Sequence, residues 1–329
     1  MKRARRRLIG IGSLSLAALV VWSLTVFHRD MAAAYRNVEG RCARLAAPLG
    51  DIEYARGGTK GVTVLVIHGS GGGCDQGTLL ASALLPEDQA WVAPSRFGYL
   101  GSAVPAGATF ATQADAYARL LDQLRLARVA VVAFSHGGPS ALEFATRHPD
   151  RVSALILVSA GVAASADAEQ SGADFKGWML MQVFQHDFAY WAVTRAFRGA
   201  FMRLMGADPA VVSTLNPAQR ELVDRVIDGM NPVSRRAAGT RFDHTAAMPD
   251  ARIRAIRAPT LIVHAEDDRL QLFHNAAFAM RHIEGARLLK FAHGGHLVFS
   301  VEQVAIRSAI EAALTDEKAG RVHDRGGLS

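Results

Sequence analysis

The chain has 329 residues, half of them hydrophobic, and this length suits one large α/β domain with an insertion or two ordinary domains. The formal net charge is +7, but five basic residues fall within the first seven positions, and subtracting them leaves +2 for the rest. This near-neutral body excludes a basic surface for nucleic acid. Two cysteines, Cys42 and Cys74, exclude a disulfide framework and a metal-ligand cluster, although one bridge between them could form in an oxidising compartment.

The amino-terminal segment begins with a basic arm and continues in an uncharged run of 20 residues, 8–27. As a helix this run would span about 30 Å, the thickness of the hydrocarbon core of a bilayer. Residues 1–28 are therefore predicted to form a cytoplasmic basic arm and a transmembrane signal anchor, with 29–50 as a tether and the body periplasmic or extracytoplasmic. The alternative is a signal peptide cleaved at the small residues 32–34, which would give a secreted protein.

Short apolar runs alternate with helical stretches from Asp51 onward, which is typical of a mostly parallel sheet covered by helices. The predicted strands are 52–55, 62–67, 91–94, 129–134, 153–158, 259–264 and 287–291. The predicted helices are 109–126, 139–148, 272–283 and 297–314, with Thr109 as an N-cap.

The alternation stops between residues 163 and 250, where dense apolar residues are compatible with helices and no strand is convincing. This stretch is predicted to be a helical cap over the carboxyl edge of the sheet, with a roof rich in methionine and aromatic side chains. The core is then formed by residues 51–162 and 251–314. The polar, glycine-containing tail 315–329 is predicted to be flexible.

A serine at the end of a β-branched run is the first candidate catalytic residue. Ser135 follows the strand 129–134, has Ala133 and Gly137 two positions away on either side, and precedes a helical pattern. A tight strand-to-helix turn of this kind exposes the hydroxyl of a nucleophile and fits small neighbours. The usual pattern is G-x-S-x-G, from which Ala133 departs by one methyl group. An ordinary turn with a serine N-cap is the alternative interpretation.

A glycine-rich loop follows the strand 62–67 and reads His68-Gly-Ser-Gly-Gly-Gly73. Its backbone N–H groups, at Ser70 or Gly71, are predicted to stabilise an oxyanion together with the N–H of His136. Such preorganised donors contribute roughly 3–4 kcal/mol each to transition-state stabilisation. A phosphate-binding loop is the competing interpretation, but Cys74-Asp75-Gln76 follows instead of Gly-Lys-Ser/Thr.

An acid and a histidine follow the last two predicted strands. Asp268 lies just beyond the strand 259–264 and is predicted to orient a catalytic imidazole, with Asp267 as the second choice. His296 lies in a glycine-flanked loop after the last strand and is predicted to be the base, with His293 as the second choice.

The chain order Ser…Asp…His is typical of α/β-hydrolases. With the glycine loop, the serine turn, the acid and the histidine in matching places, residues 51–314 resemble the serine-nucleophile type of the α/β-hydrolase fold superfamily. The resemblance implies an eight-stranded, mostly parallel sheet with helices on both faces, a helical cap after the sixth strand, and no cofactor. A serine at the turn also argues against relatives that use an aspartate nucleophile, such as haloalkane dehalogenases and epoxide hydrolases.

The predicted function is hydrolysis of a small, fairly apolar carboxylester or lactone through a Ser135–His296–Asp268 triad and an acyl-enzyme. A carbon–carbon bond hydrolase of the meta-cleavage type is an alternative, because it shares this triad. A membrane-tethered binding protein that kept the fold and lost activity is another. Two partners are predicted, which are a small-molecule substrate and a membrane that the amino-terminal helix contacts. The sequence leaves open the oligomeric state and transfer of the acyl group to an acceptor other than water.

Overall fold

The computed structural model describes residues 2–46, 50–163 and 181–325, together with Phe175, Trp178 and Met179. Its centre is an eight-stranded sheet in the order β1-β2-β4-β3-β5-β6-β7-β8. The strands are β1 Ala43–Leu45, β2 Ile52–Gly57, β3 Lys60–Ile67, β4 Gln89–Pro94, β5 Val129–Phe134, β6 Val152–Val158, β7 Thr260–Ala265 and β8 Arg287–Phe291.

Two pairings at one edge of the sheet, β1 with β2 and β2 with β4, are antiparallel, and the other five are parallel. The prediction of an eight-stranded, mostly parallel sheet is therefore confirmed. The seven predicted strands all exist, with ends that differ by two residues at most. The sequence missed β1, because this three-residue strand lies in the segment predicted to be a tether and is too short to show alternation.

Helices cover both faces of the sheet. The helices among the described residues are α1 Lys2–Val38, α2 Cys74–Leu84, α3 Phe110–Gln123, α4 Gly138–Arg147, α5 Asp187–Ala196, α6 Arg198–Leu204, α7 Pro209–Thr214, α8 Pro217–Gly229, α9 Ala237–Thr245, α10 His274–His282, α11 Val298–Val301 and α12 Gln303–Arg325. The tail predicted to be flexible is thus helical as far as Arg325.

Successive strand residues face two different hydrophobic cores, as the two-residue period of a strand requires. In β3, Val64 and Val66 belong to one core, while Leu65 and Ile67 belong to the other. The first core includes residues of α2, α12 and the helices between β6 and β7, and the second includes residues of α3, α4 and α10. A strand buried on both faces explains the continuous apolar run in this part of the sequence.

The helices α5–α9 lie between β6 and β7 in the chain, within the stretch 163–250 for which a helical cap is predicted. Most of its first part, residues 164–180, lies outside the described residues. Residues 181–250 are called the cap segment below. Phe184, Tyr190 and Phe201 of this segment are buried in the same core as strand residues Val132 and Phe134. Apolar burial therefore holds the cap segment against the carboxyl edge of the sheet.

The predicted transmembrane anchor is wrong. Within the described part of the chain, no helix combines the length and the apolar character needed to cross a bilayer. The apolar run at 8–27 forms part of a single helix, α1, which is 37 residues long in total. The helix ends in a polar stretch that belongs to the predicted tether. The predicted membrane partner and the membrane-anchored, extracytoplasmic location lose their basis with the anchor.

The second half of α1 packs on the cap segment. The ring of Phe27 lies edge-on to that of Trp191, with 5.4 Å between their centroids. Trp191 donates a hydrogen bond of 3.0 Å from Nε1 to Asp30, and the hydroxyl of Tyr35 donates one of 2.9 Å to Asp187. The hydropathy of the sequence predicted a membrane span and did not reveal these contacts with the cap segment.

Cys42 and Cys74 form a disulfide, the bridge that the sequence left open. Cys74 is the first residue of α2 and directly follows the glycine-rich loop 69–73. The bridge therefore ties the chain that follows α1 to the end of this loop.

The amino terminus of α3 is closed by a capping box. Thr109 Oγ1 accepts a hydrogen bond of 3.1 Å from the N–H of Thr112, and Thr112 Oγ1 accepts one of 2.8 Å from the N–H of Thr109. We expect Thr109→Ala to lower the free energy of unfolding by about 1 kcal/mol, because a helix N–H loses its partner. Urea denaturation measures this loss. Thr315→Ala, at an exposed threonine within α12, should stay within about 0.5 kcal/mol of the parent protein; equal losses in both variants would contradict the assignment.

Candidate active site

Ser135 occupies a strained turn between β5 and α4. Its φ of 52° lies in the left-handed region, which residues other than glycine rarely adopt. A Cβ at Gly137 would lie 2.7 Å from the carbonyl oxygens of Ile67 and His68. One at Gly138 would lie 2.2 Å from the carbonyl oxygen of Gly161. The backbones approach so closely here that only glycine fits, which explains the small residues that follow the serine.

A hydrogen-bonded chain of three buried side chains runs through the site. Ser135 Oγ lies 2.9 Å from Nε2 of His296, and Nδ1 of His296 lies 2.9 Å from Oδ2 of Asp268. The three side chains come from the carboxyl ends of β5, β8 and β7, which meet at one edge of the sheet. The structure thus brings together the serine, histidine and acid that the sequence singled out.

Both oxygens of Asp268 are engaged. While Oδ2 faces His296, Oδ1 accepts hydrogen bonds of 2.9 Å from the N–H groups of Leu270 and Gln271. Burial alone would raise the pKa of the Asp268 carboxyl, but His296 and the backbone donors outweigh burial and hold that pKa below its usual value. The carboxylate is therefore ionised at neutral pH and fixed in orientation.

The second choices for the acid and the base, Asp267 and His293, take no part in these hydrogen bonds between Ser135, His296 and Asp268. Asp267 accepts hydrogen bonds from the backbone of the 294–295 turn, including one of 2.7 Å from the N–H of Gly295. The side chain of His293 is 83% exposed. Glu266, a third acid after β7, pairs with Lys290 at the surface. Asp267 thus shapes the loop that carries His296, and the other two side chains face solvent.

The glycine-rich loop passes directly against Ser135, since a Cβ at Gly69 would lie 2.9 Å from the Cβ of Ser135. Its first residue, His68, donates from Nδ1 to the carbonyl of Gly69 at 2.7 Å and accepts at Nε2 from the N–H of Arg96 at 2.9 Å. Burial, with the nearby Arg96, lowers the pKa of His68 to about 3. A neutral imidazole with both nitrogens satisfied therefore anchors the start of the loop.

Asp243 of α9 is a buried residue of the site that the sequence did not reveal. Arg96 donates two hydrogen bonds to its carboxylate, of 2.5 and 2.6 Å, and both side chains are almost fully buried. Ser70 Oγ donates to the same carboxylate at 2.6 Å, and Nε2 of His136 donates to the Asp243 carbonyl at 3.0 Å. The side chain of His136 therefore points to the cap segment and away from Ser135.

Asp243 is also ionised. Burial would raise the pKa of its carboxyl, but the Arg96 guanidinium and the surrounding donors lower it below its usual value. The pair is separated by 147 residues in the chain. An isolated acid in a helical stretch carries no sequence signal for such a distant partner, so only the fold could identify it.

A sequence profile of the α/β hydrolase fold family matches residues 62–303, which is most of the chain. The chain belongs to the α/β hydrolase fold family. The predictions of this family and of a hydrolytic enzyme are thus confirmed, against the alternative of a non-catalytic binding protein.

Similar proteins agree with this assignment. The hydrolase is 30% identical over 269 residues to the uncharacterized hydrolase YcgS of Bacillus subtilis, which covers 79% of this chain and 93% of that protein. It is 27% identical over 256 residues to a 2-hydroxy-6-oxo-2,4-heptadienoate hydrolase of Pseudomonas putida, covering 74% and 85%. An α/β hydrolase fold protein of Nakamurella multipartita has a similar structure, with a TM-score of 0.63, 27% identity and coverage of 83% and 98%.

A cavity of about 440 Å³ opens above Ser135 and His296, between the sheet edge and the cap segment of the hydrolase. Its apolar lining residues are Phe134, Ala163, Met181, Phe184, Met202, Met205, Val223, Val226, Ile227, Met230, Ala246, Met248, Leu270, Leu297 and Phe299. Its polar lining also includes Ser70, His136, Thr240, Asp243, His244, Gln271 and Asn275. Of the residues predicted as oxyanion donors, Ser70 and His136 border the same cavity as the serine, whereas Gly71 is not among its lining residues.

Proposed function

We propose that this hydrolase cleaves a small, apolar carboxylester or lactone through an acyl-enzyme on Ser135. The observation that carries the proposal is the chain Ser135–His296–Asp268 at the floor of a largely apolar cavity. A serine hydroxyl is a weak nucleophile unless a base removes its proton, and a base needs a partner that fixes its tautomer. The two 2.9 Å hydrogen bonds supply both conditions.

The proposed reaction starts with attack of Ser135 Oγ on the substrate carbonyl while Nε2 of His296 takes the hydroxyl proton. Asp268 holds Nδ1–H of His296 and stabilises the imidazolium that forms. The N–H groups of His136 and of Ser70 or Gly71 stabilise the oxyanion. His296 then returns the proton to the leaving alcohol, and water, activated in the same way, releases the acid from Ser135.

The composition of the cavity supports the substrate class. Methionine, phenylalanine and branched aliphatic side chains would contact an acyl chain, and burial of that chain would favour binding by about 25 cal/mol per Å² of apolar area. The charged residue of the lining, Asp243, is already neutralised by Arg96. A substrate carboxylate placed against the apolar part of the lining would lose its hydration without compensation, so an uncharged acyl group fits that part of the cavity better.

A second candidate function is meta-cleavage carbon–carbon bond hydrolysis. The similarity to the Pseudomonas putida protein, whose name specifies a heptadienoate substrate, favours it. The same serine, histidine and acid would serve both reactions. The two functions differ in the charge of the substrate, since a dienoate carries a carboxylate into the cavity.

Hydrolysis of p-nitrophenyl esters with acyl chains of two to about twelve carbons, compared with that of a 2-hydroxy-6-oxo-dienoate, distinguishes the candidates. We expect kcat/KM for the best ester to exceed that for the dienoate by at least about 100-fold, because one uncompensated buried charge costs several kcal/mol. A cavity of this size should favour short to medium chains. Efficient turnover of the dienoate with negligible ester hydrolysis would contradict the ester proposal and support the second candidate.

A further inference from the structure

We infer that Asp243 is a positioning residue that couples the cap segment to the oxyanion-binding loop, an inference that rests on the proposed function. Asp243 belongs to α9, which is part of the cap segment. Its contacts nevertheless reach both backbone segments that would supply oxyanion donors. Ser70 donates to its carboxylate at 2.6 Å, and His136 donates to its backbone carbonyl at 3.0 Å.

The composition of the loop explains why it needs an external anchor. Between positions 69 and 73, Ser70 is the residue with a side chain, and the other four are glycines. Glycine permits many backbone conformations, and Gly71 indeed has a φ of +74°. Donors that stabilise an oxyanion act best when they are fixed before the reaction. The hydroxyl of Ser70 is therefore the side-chain group through which a hydrogen bond can fix this part of the loop.

The acceptor of the Ser70 hydrogen bond, the Asp243 carboxylate, is itself held in place. The Asp243 carboxylate receives two hydrogen bonds from Arg96 and one of 2.5 Å from the hydroxyl of Tyr99. Arg96 in turn donates from Nε to the carbonyl of His68 at 3.0 Å, at the start of the same loop. A buried, multiply bonded carboxylate is a fixed reference point for Ser70.

It follows that stabilisation of the transition state depends on the position of α9 in the cap segment. With α9 seated on the core, Ser70 is held and the loop N–H groups are oriented. Displacement of α9 would remove the acceptor for Ser70 and the partner of His136 together. Substrate binding under the cap segment and assembly of the oxyanion-binding groups thus depend on the same residue.

The test compares Ser70→Ala with Ser300→Ala. Ser300 is the control, because its Oγ also donates a hydrogen bond to a residue of the cap segment, the carbonyl of Gln219 at 2.8 Å. Ser300 is fully buried, whereas Ser70 is half-buried, so removal of the Ser300 hydroxyl is the more severe structural change. We expect Ser70→Ala to lower kcat for a p-nitrophenyl ester about tenfold with KM within twofold. Ser300→Ala should change kcat less than twofold.

Two inhibitors separate positioning from general structural damage. A trifluoromethyl ketone forms an oxyanion when Ser135 adds to it, whereas the matching methyl ketone binds without that addition. Ser70→Ala should weaken the trifluoromethyl ketone about tenfold and the methyl ketone less than twofold. Ser70→Thr, which keeps the hydroxyl, should stay close to the parent enzyme. Equal weakening of both ketones, or equal effects of Ser70→Ala and Ser300→Ala, would overturn the inference.

The route through Asp243 is tested by a double-mutant cycle. In an Asp243→Ala background, Ser70→Ala should lower kcat less than twofold, since its acceptor is already gone. Additive losses would show that Ser70 acts without Asp243 and would overturn the inference. If Asp243→Ala does not fold, the comparison of the two ketones in Ser70→Ala still tests whether the Ser70 hydroxyl supports oxyanion binding, and equal weakening of both ketones would overturn the inference. Fluorophosphonate labelling of Ser135 in the parent enzyme checks the proposed function separately, because labelling should persist even where the coupling inference fails.

Discussion

Asp268→Asn is expected to lower kcat for an ester substrate by about 10⁴-fold while the fold is retained. The N–H groups of Leu270 and Gln271 both point at Oδ1 of residue 268. The oxygen of an asparagine must therefore stay at that position, and its NH2 group must face Nδ1 of His296. Nδ1 would become an acceptor and Nε2 would carry the proton. A protonated Nε2 cannot take the proton of Ser135.

Asp267→Asn is the matched control for this prediction. Its side chain holds the N–H of Gly295, and an asparagine oxygen can keep that hydrogen bond of 2.7 Å. We expect kcat of Asp267→Asn to stay within about threefold of the parent enzyme, because its change reaches His296 only through the loop. Steady-state kinetics on a p-nitrophenyl ester, with circular dichroism to check folding, measures both variants. A larger loss for Asp267→Asn than for Asp268→Asn would show that the proposed acid is misassigned.

Asp243→Asn is expected to lower the free energy of unfolding by about 3–5 kcal/mol, the usual cost of removing one partner of a buried ion pair. The guanidinium of Arg96 would remain fully buried without its counter-charge. Asp88→Asn removes an acid from an exposed pair with Lys60 and should cost less than about 1 kcal/mol. Urea denaturation at neutral pH compares the two. Losses of similar size would show that the buried pair contributes no more than the exposed one.

The effect of Asp243→Asn should depend on pH in a defined direction. Because the pKa of Asp243 is lower in the folded than in the unfolded protein, the pair contributes its full stability above the ordinary carboxyl pKa near 4. That contribution is lost as the pH falls through the folded-state pKa. The difference in stability between parent and variant should thus be constant from about pH 7 to pH 5 and shrink below about pH 4. A difference that grows on acidification would contradict the ionised state of Asp243.

Local patterns were enough to predict most of the sheet and the residues that meet at its edge. The strand Val129–Phe134 was predicted with its observed bounds, because a buried parallel strand is continuously apolar and ends where the turn to Ser135 begins. The hydrogen-bonded chain from Ser135 to Asp268 followed from chain order and strand ends. Although Ser135 and His296 are 161 residues apart, each lies just beyond the end of a strand, and that position is a local pattern.

Contacts between residues that no local pattern marks could not be predicted. Asp243 meets Arg96 across 147 residues, and neither residue stands out locally. The amino-terminal run was misread for a related reason. Its apolar composition predicts a membrane span, whereas the helix continues to Val38 and packs against Trp191 of the cap segment. Composition measures how apolar a helix is, but it does not show which surface covers it.

Labelling of the intact protein with a fluorophosphonate probe, followed by peptide mass spectrometry, tests the central claim most directly. A serine activated by a histidine attacks the phosphorus of the probe and displaces fluoride, which leaves a covalent Oγ–phosphorus bond, whereas ordinary serines do not react. We predict a single label on Ser135, absent from Ser135→Ala and strongly reduced in His296→Ala. A folded parent protein that carries no label on Ser135 would contradict the assignment of this residue as the nucleophile.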